Sequence, residues 1–265
     1  MSTDPVHKHD ESEDSGEEKL AEGTLLSHLV ELRQRLVRAT LAIFAVFICL
    51  VPFTQEIFTM ISQPLLAVLP EGSELITIGI AAPFLTPFKT TLFVAIFIAM
   101  PVVIYQIWQF VAPGLYRKEK RFAVPLMVSS IVLFYAGVAF AYFVVFRLVF
   151  AFFIGVTPDS VTNMPDINEY LSFILTIFFA FGIAFEVPIA TFMLIWSGLV
   201  DIKTMSTARP YVFLGAFIVG MFLTPPDIIS QTLLAVPIYL LYESGIFLSR
   251  LMLPDKVKGT DEVTD

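Results

Sequence analysis

The chain has one cysteine, three histidines and few charges for its size: 15% of its 265 residues are Asp, Glu, Lys or Arg, against 57% that are hydrophobic. A single cysteine, Cys49, excludes an intramolecular disulfide and a multi-cysteine metal site. His7 and His9 stand in a polar stretch and His28 apart from them, so no histidine cluster has ligand spacing. No glycine loop with its lysine is placed to cradle a phosphate, and no Ser, His and carboxylate set falls on plausible loops. The expectation is a protein that is not an enzyme, takes no cofactor and draws its energy from elsewhere. A mean hydropathy of +0.81 leaves too little polar surface for a soluble globule.

What charge there is lies mostly outside the apolar runs. The net charge of −8 comes from acidic residues near the two ends, such as Glu17, Glu18 and Glu22 at one and Asp261, Glu262 and Asp265 at the other. The middle is nearly neutral, so the total implies neither a nucleic acid nor any other charged partner. Residues 1–23 read as a disordered acidic tail and 254–265 as a second one, because neither holds enough apolar surface to offset the entropy of ordering. The first long apolar run begins near Leu36 with no small-residue cleavage site behind it, so no cleavable signal peptide is expected.

Between the tails, residues 24–253 read as a six-helix transmembrane domain. Leu25, Leu29, Leu32 and Leu36 are spaced four, three and four apart, which predicts a short amphipathic helix at the membrane surface, N-capped by Thr24, that feeds into the first span. Glu31 on another face can pair with Arg35 at i,i+4 or present its carboxylate to a ligand. Apolar runs follow at 36–53, 88–108, 122–146, 171–196, 211–223 and 228–248. With both termini on one side, 14 of the 16 Lys and Arg fall on that side, leaving only Lys89 and Arg147. The positive-inside rule then puts both termini in the cytoplasm. The opposite loops are unequal: 54–87 is long enough for a small structured cap, 155–168 is of medium length, and Thr224–Asp227 makes a tight hairpin. Span five is short, roughly 20 Å at ~1.5 Å per residue against a hydrocarbon core of ~30 Å. Either the bilayer thins beside it or neighbouring helices shield it.

Three polar features interrupt this pattern. Ala112–Arg121, APGLYRKEKR, sets Glu119 among Arg117, Lys118, Lys120 and Arg121 in a membrane-surface loop. Its cations can serve as a topological signal alone, or its carboxylate can also receive a cationic ligand. Glu186 lies inside span four, where a carboxylate must face protein or a water-filled cavity. Gly182 and Ala190 share its face, an arrangement expected to leave room beside it, and Pro188 frees a carbonyl and predicts a kink. Either Glu186 ties two helices together, or it marks a concavity that admits substrate or water. Pro101, Pro125 and Pro237 are expected to bend spans two, three and six, giving a curved, glove-like bundle. Gln231 and Glu243 are further polar points on span six, the latter close enough to the interface to reach it.

HLVELRQRL (His28–Leu36), APGLYRKEKR, FGIAFEVP (Phe181–Pro188) and GMFLTPPDIISQ (Gly220–Gln231) occur in order, and with them the chain resembles the TatC family, the large membrane subunit of the twin-arginine protein translocase. Arg147 departs from the resemblance, because a proline is expected after AYFVVF. The resemblance implies a receptor in the bacterial cytoplasmic (inner) membrane that binds Arg-Arg signal peptides of folded cargo. It assigns signal-peptide binding to Glu31 and Glu119, with Arg33 in the same patch and Phe110 in substrate handling or assembly. Arginine's planar fork suits a carboxylate bidentately and lysine's point charge does not, consistent with that preference. Glu186 matches an intramembrane polar site. Pro64, Met221, Thr224, Asp227 and Gln231 match positions of partner docking or assembly with single-span TatA- and TatB-type subunits. A multimeric complex powered by the proton motive force is implied as well. Among rival readings, a small-solute transporter draws on Glu186 and the Gly/Pro-interrupted fourth span, but the two halves share no evident similarity. A non-transporting scaffold predicts that Glu31 and Glu119 can be neutralised without loss.

Overall fold

A computed structural model describes the backbone of residues 10–66, 76–111, 120–156, 165–223 and 228–253. Within these residues the chain is helical, as a membrane demands, because backbone groups in lipid must be satisfied within the segment. Helix α1 spans Asp10–Leu50, followed by a 3₁₀ turn at Val51–Phe53 and α2 at Thr54–Leu66. Then come α3 (Ala82–Val111), α4 (Lys120–Phe140), a π-helical turn at Ala141–Val145, and α5 (Phe146–Val156). The remainder holds α6 (Ile167–Ala184), α7 (Val187–Trp196), α8 (Ile202–Thr207), α9 (Arg209–Leu223) and α10 (Ile228–Met252). Five stretches are long and apolar enough to cross a bilayer, and α9 adds a shorter one.

Several boundaries differ from those expected. Helix α1 starts at Asp10 rather than Thr24, which lies inside it. Glu, Lys, Leu and Ala in the EEKLAEG stretch are strong helix formers, and acidic residues near a helix N-terminus are favoured by its dipole. The amphipathic segment and the first span are therefore one helix of 41 residues. Span three runs on through the π turn to Val156 instead of ending near Phe146. Arginine at position 147 keeps the backbone N–H that a proline would remove, so the helix continues. Span four starts at Ile167, where the Asp166 carboxylate caps the helix by accepting from the Asn168 amide at 2.9 Å.

At the end of the bundle opposite the chain termini, the cap expected over residues 54–87 takes form as α2 and a short backbone pairing. The Ile167 amide donates to the Ile76 carbonyl at 3.0 Å, and Ile76 and Asp166 form an isolated parallel bridge. Two loops far apart in sequence are thus tied together over spans two and four. Nearby, Lys89 Nζ donates to Ser172 Oγ at 2.6 Å, which gives one of the two cations on this side a hydroxyl partner.

Pro188 breaks span four as expected. The helix ends at Ala184, Glu186 N–H turns back to the Ile183 carbonyl at 3.0 Å, and α7 restarts with Ala190 N–H on the Glu186 carbonyl at 2.9 Å. Helix α10 comes close at this break: a Cβ on Gly245 would lie 2.9 Å from the Pro188 Cα. Small residues at such crossings let helix backbones approach, the main source of packing energy where lipid is as apolar as the interior. Pro101, Pro125 and Pro237 lie inside α3, α4 and α10. Three buried hydroxyls are satisfied locally, Thr90, Thr91 and Ser249 each donating to the carbonyl four residues back.

Candidate functional site

The polar side chains gather at three places. At the terminal end, α1 packs along α3, and the His28 ring stacks on Phe110 with centroids 4.2 Å apart. Glu31 is three residues after His28, hence on the same face of α1. Arg35, one turn further on, holds the Glu31 carboxylate, donating from Nε to Oε1 at 3.0 Å and from Nη2 to the same oxygen. The sequence left open whether Glu31 pairs locally; it does, while its side chain keeps 36% of its surface exposed. Arg33 is exposed. Glu119 falls outside the described residues, nine positions after Phe110.

Within the membrane, Glu186 sits at the break between α6 and α7 and is half-buried. Its Oε1 is buried without a hydrogen-bond partner among the described residues, while the Ser130 hydroxyl of α4 faces the carboxyl group. Ser130 accepts in turn from the indole Nε1 of Trp108 on α3, at 3.1 Å. An indole can only donate, so accepting from Trp108 leaves the serine proton to donate elsewhere. The room expected beside Gly182 is absent: a Cβ there would lie 2.5 Å from the Phe134 ring, which fills that side. Trp108 and Ser130 escaped the sequence reading. A buried tryptophan needs an acceptor, but which residue supplies it depends on how α3 and α4 cross.

The third group joins α9 to α10. Gln231 Nε2 donates to the Phe217 carbonyl at 2.7 Å, and its backbone lies against Gly220, so its amide fastens the two helices at their hairpin end. Met221 is exposed one residue beyond, while Thr224 and Asp227 fall outside the described residues. At the other end of the same pair, Arg209 grips Glu243 with two contacts, Nε to Oε1 at 2.6 Å and Nη2 to Oε2 at 2.9 Å. Tyr239 donates to Glu243 as well, at 3.0 Å. The sequence had Glu243 only reaching the interface; the bidentate pair with Arg209, 34 residues away, was not foreseen. Pro64 lies in α2, at the end of the bundle opposite the chain termini.

Among the described residues no three His, Cys, Asp or Glu side chains gather as a metal site. Apolar helices long enough to cross a bilayer, with polar groups at the surface, at mid-depth and at a helix hairpin, define a multi-pass membrane protein. The sequence model described as TatC, Sec-independent protein translocase protein, matches residues 27–237. A Sec-independent protein translocase protein TatC of Azotobacter chroococcum mcd 1 is 59% identical over 223 residues, 84% of this chain and 88% of that protein. Those of Haemophilus influenzae and Escherichia coli K12 are each 50% identical, covering 90% and 85% of this chain and 94% and 88% of their own lengths. A crystal structure described as the twin arginine translocase receptor TatC superposes with a TM-score of 0.78 at 38% identity, over 84% of this chain and 98% of that one. The chain belongs to the TatC family, the Sec-independent protein translocase components of the Tat system.

Proposed function

We propose that this chain is the signal-peptide receptor of its translocase, lying in the cytoplasmic (inner) membrane with both termini in the cytoplasm. Glu31 and Glu119 take the guanidinium groups of an Arg-Arg signal peptide. The observation that carries this reading is the Glu31 site: a carboxylate one turn from the His28 that stacks on Phe110, engaged by Arg35 through Oε1 alone and partly exposed. Its Oε2 is the acceptor an incoming arginine would meet, and Phe110, at the end of α3, leads into the loop that bears Glu119. A planar fork engages such a carboxylate with two parallel hydrogen bonds, whereas an ammonium supplies a point charge. Arg33 and the loop cations keep this surface positive, which fixes its side of the membrane. TatA- and TatB-type single-span subunits dock along α9 and α10 near Met221, Thr224, Asp227 and Gln231. Transport draws on the proton motive force, with several copies assembled together, Pro64 in the assembly surface and Glu186 facing the moving substrate.

The test is binding of a labelled Arg-Arg signal peptide to the purified protein in nanodiscs, against a Lys-Lys version. Arg-Arg is expected to bind at least tenfold tighter, about 1.4 kcal/mol, with Glu31→Ala and Glu119→Ala each shrinking the difference. Equal binding of the two peptides by correctly folded protein would remove the receptor assignment.

A further inference from the structure

The end of the bundle opposite the termini holds a cavity and, beside it, a polar helix face that recognition of a signal peptide leaves unused. Where α2 lies against the π turn, α5 and α6, a cavity of about 260 Å³ opens between Met60, Tyr142, Phe146, Tyr170, Ile174 and Phe178. Far smaller apolar cavities, of about 150 Å³, take up benzene. Its walls are aromatic: Phe146 packs edge-on to Tyr170 and Tyr142 edge-on to Phe178, with centroids 6.3 and 6.1 Å apart. One wall carries a polar atom with nothing to bond. Tyr170 is only 5% exposed, and its hydroxyl is buried with no hydrogen-bond partner among the described residues. A buried donor left so is destabilising unless a ligand supplies an acceptor. The π turn puts Tyr142 on this wall, and π turns inside helices frequently mark functional sites.

Beside this cavity Gln55, Glu56, Thr59 and Gln63 form an exposed polar face of α2, and Met60 belongs to both. Met60 is 74% exposed, a flexible thioether on the shared rim. The two chemistries differ sharply. The cavity is apolar apart from the hydroxyls of Tyr170 and Tyr142; among the described residues the α2 face is polar, Glu56 is its one charge, and no Lys or Arg lines either. Tyr170 stands in the first turn of α6, where the apolar span meets the loops, the depth at which tyrosine rings favour a wet tip over an apolar body.

We propose that this cavity and the polar face of α2 beside it hold one phospholipid whose headgroup ends in a primary ammonium, of the ethanolamine class. An acyl chain fills the aromatic cavity, its ester carbonyl accepts the Tyr170 hydroxyl hydrogen bond, and the ammonium donates to Glu56 and the neighbouring side-chain oxygens. A carboxylate with no cation beside it repels an anionic headgroup, and a quaternary choline has no N–H to donate. A single molecule thereby matches the apolar volume, the unpartnered donor and the lone negative charge in their spatial order.

The protein is loaded into nanodiscs containing equal parts of ethanolamine, choline and glycerol phospholipids, and the lipids it keeps on release are counted by native mass spectrometry. The ethanolamine lipid is expected to be retained about tenfold over the others, the discrimination one charge-assisted hydrogen bond supplies. Glu56→Gln should abolish the headgroup preference while lipid stays bound. Tyr170→Phe, which deletes only the unpartnered oxygen, should lower retention of all three headgroups, and Met60→Trp at the exposed rim should lower ethanolamine-lipid retention severalfold. Thermal midpoints of the variants verify that each is folded. Equal retention of the three lipids, a preference for the glycerol headgroup, or variants that behave as wild type would overturn the proposal. So would a lipid-free dimer that Met60→Trp splits, because the occupant would then be a second copy of the chain.

Discussion

The first and fourth spans are made of the same residues to opposite ends. Both are rich in Leu, Ile, Phe and Ala, yet only 6% of the apolar window in the first is buried inside the protein, against 44% in the fourth. Leu36, Leu41, Phe44 and Ile48 of α1 all face outward, whereas Leu171 and Leu175 of α6 are enclosed with residues of α2, α3 and α5, and Ile177 and Phe181 with residues of α4, the π turn and α10. Hydropathy does not distinguish a lipid-facing helix from a central one, because lipid and protein interior are equally apolar. What separates them is where a helix can admit another backbone: α4 and α10 press onto α6 and α7 at Gly137, Gly182 and Gly245, while α1 lays one face on α3 and leaves the rest open. The central span holds the bundle together, and the outer helix is a surface for lipid or partners.

The contrast is broken hardest at Gly137. A Cβ there would lie 2.4 Å from the Phe181 carbonyl oxygen, which is backbone and cannot rotate away. Gly137→Leu is expected to prevent accumulation of folded protein, read as loss of the monodisperse peak after detergent extraction. Phe181→Ala comes next. Its ring is fully enclosed by Phe140, Val145, Leu234 and their neighbours, so truncation leaves a cavity. The transfer term largely vanishes in a bilayer. A hole on the order of 100 Å³ at about 24 cal/mol per Å³ still costs about 2 kcal/mol. Reversible unfolding in mixed micelles measures it, and a cost below about 0.5 kcal/mol would deny span four its central place.

Much of this was legible in the chain itself, for reasons that differ between elements. Six apolar runs bounded by charge appear as six spans because lipid permits little else. The break at Pro188 and the cap over the 54–87 loop follow from a missing N–H and from loop length. Glu31 was marked as a candidate with Arg35 as its alternative partner, and that pair is formed. Less could be read where a contact joins distant positions. Arg209 and Glu243 meet only because α9 and α10 run antiparallel beside each other, and Trp108 finds Ser130 only through the crossing of α3 and α4. The space anticipated next to Gly182 was lost to Phe134, whose arrival no local spacing foretells. At Arg147 the expected helix end failed to occur, since the residue that would enforce it is not there.

A smaller effect sharpens the comparison at the terminal end. Arg209 and Glu243 are bidentate but partly solvated, their side chains 37% and 29% exposed. Arg209→Ala should lower the thermal midpoint by less than Phe181→Ala does, and raising the salt concentration should erode the difference between wild type and variant, since exposed pairs are screened. Combining Arg209→Ala with Glu243→Ala should cost less than the two single changes added together, because the second substitution removes a carboxylate the first has left unpaired. Additive losses would mean that the two residues act through separate contacts.

The smallest effect is the most discriminating for α1. Phe44 is half exposed on the outer face, so Phe44→Ala exchanges one lipid-facing apolar group for another and leaves no cavity. Its cost in the isolated protein should stay within about 0.5 kcal/mol. If this face is where a partner subunit or a second copy docks, the same substitution will weaken the assembled complex while sparing the monomer, which pull-down from membranes and unfolding of the purified chain report separately. A monomer destabilised as much by Phe44→Ala as by Phe181→Ala would show that α1 is packed from both sides, and the division between an outer helix and a central span would fall.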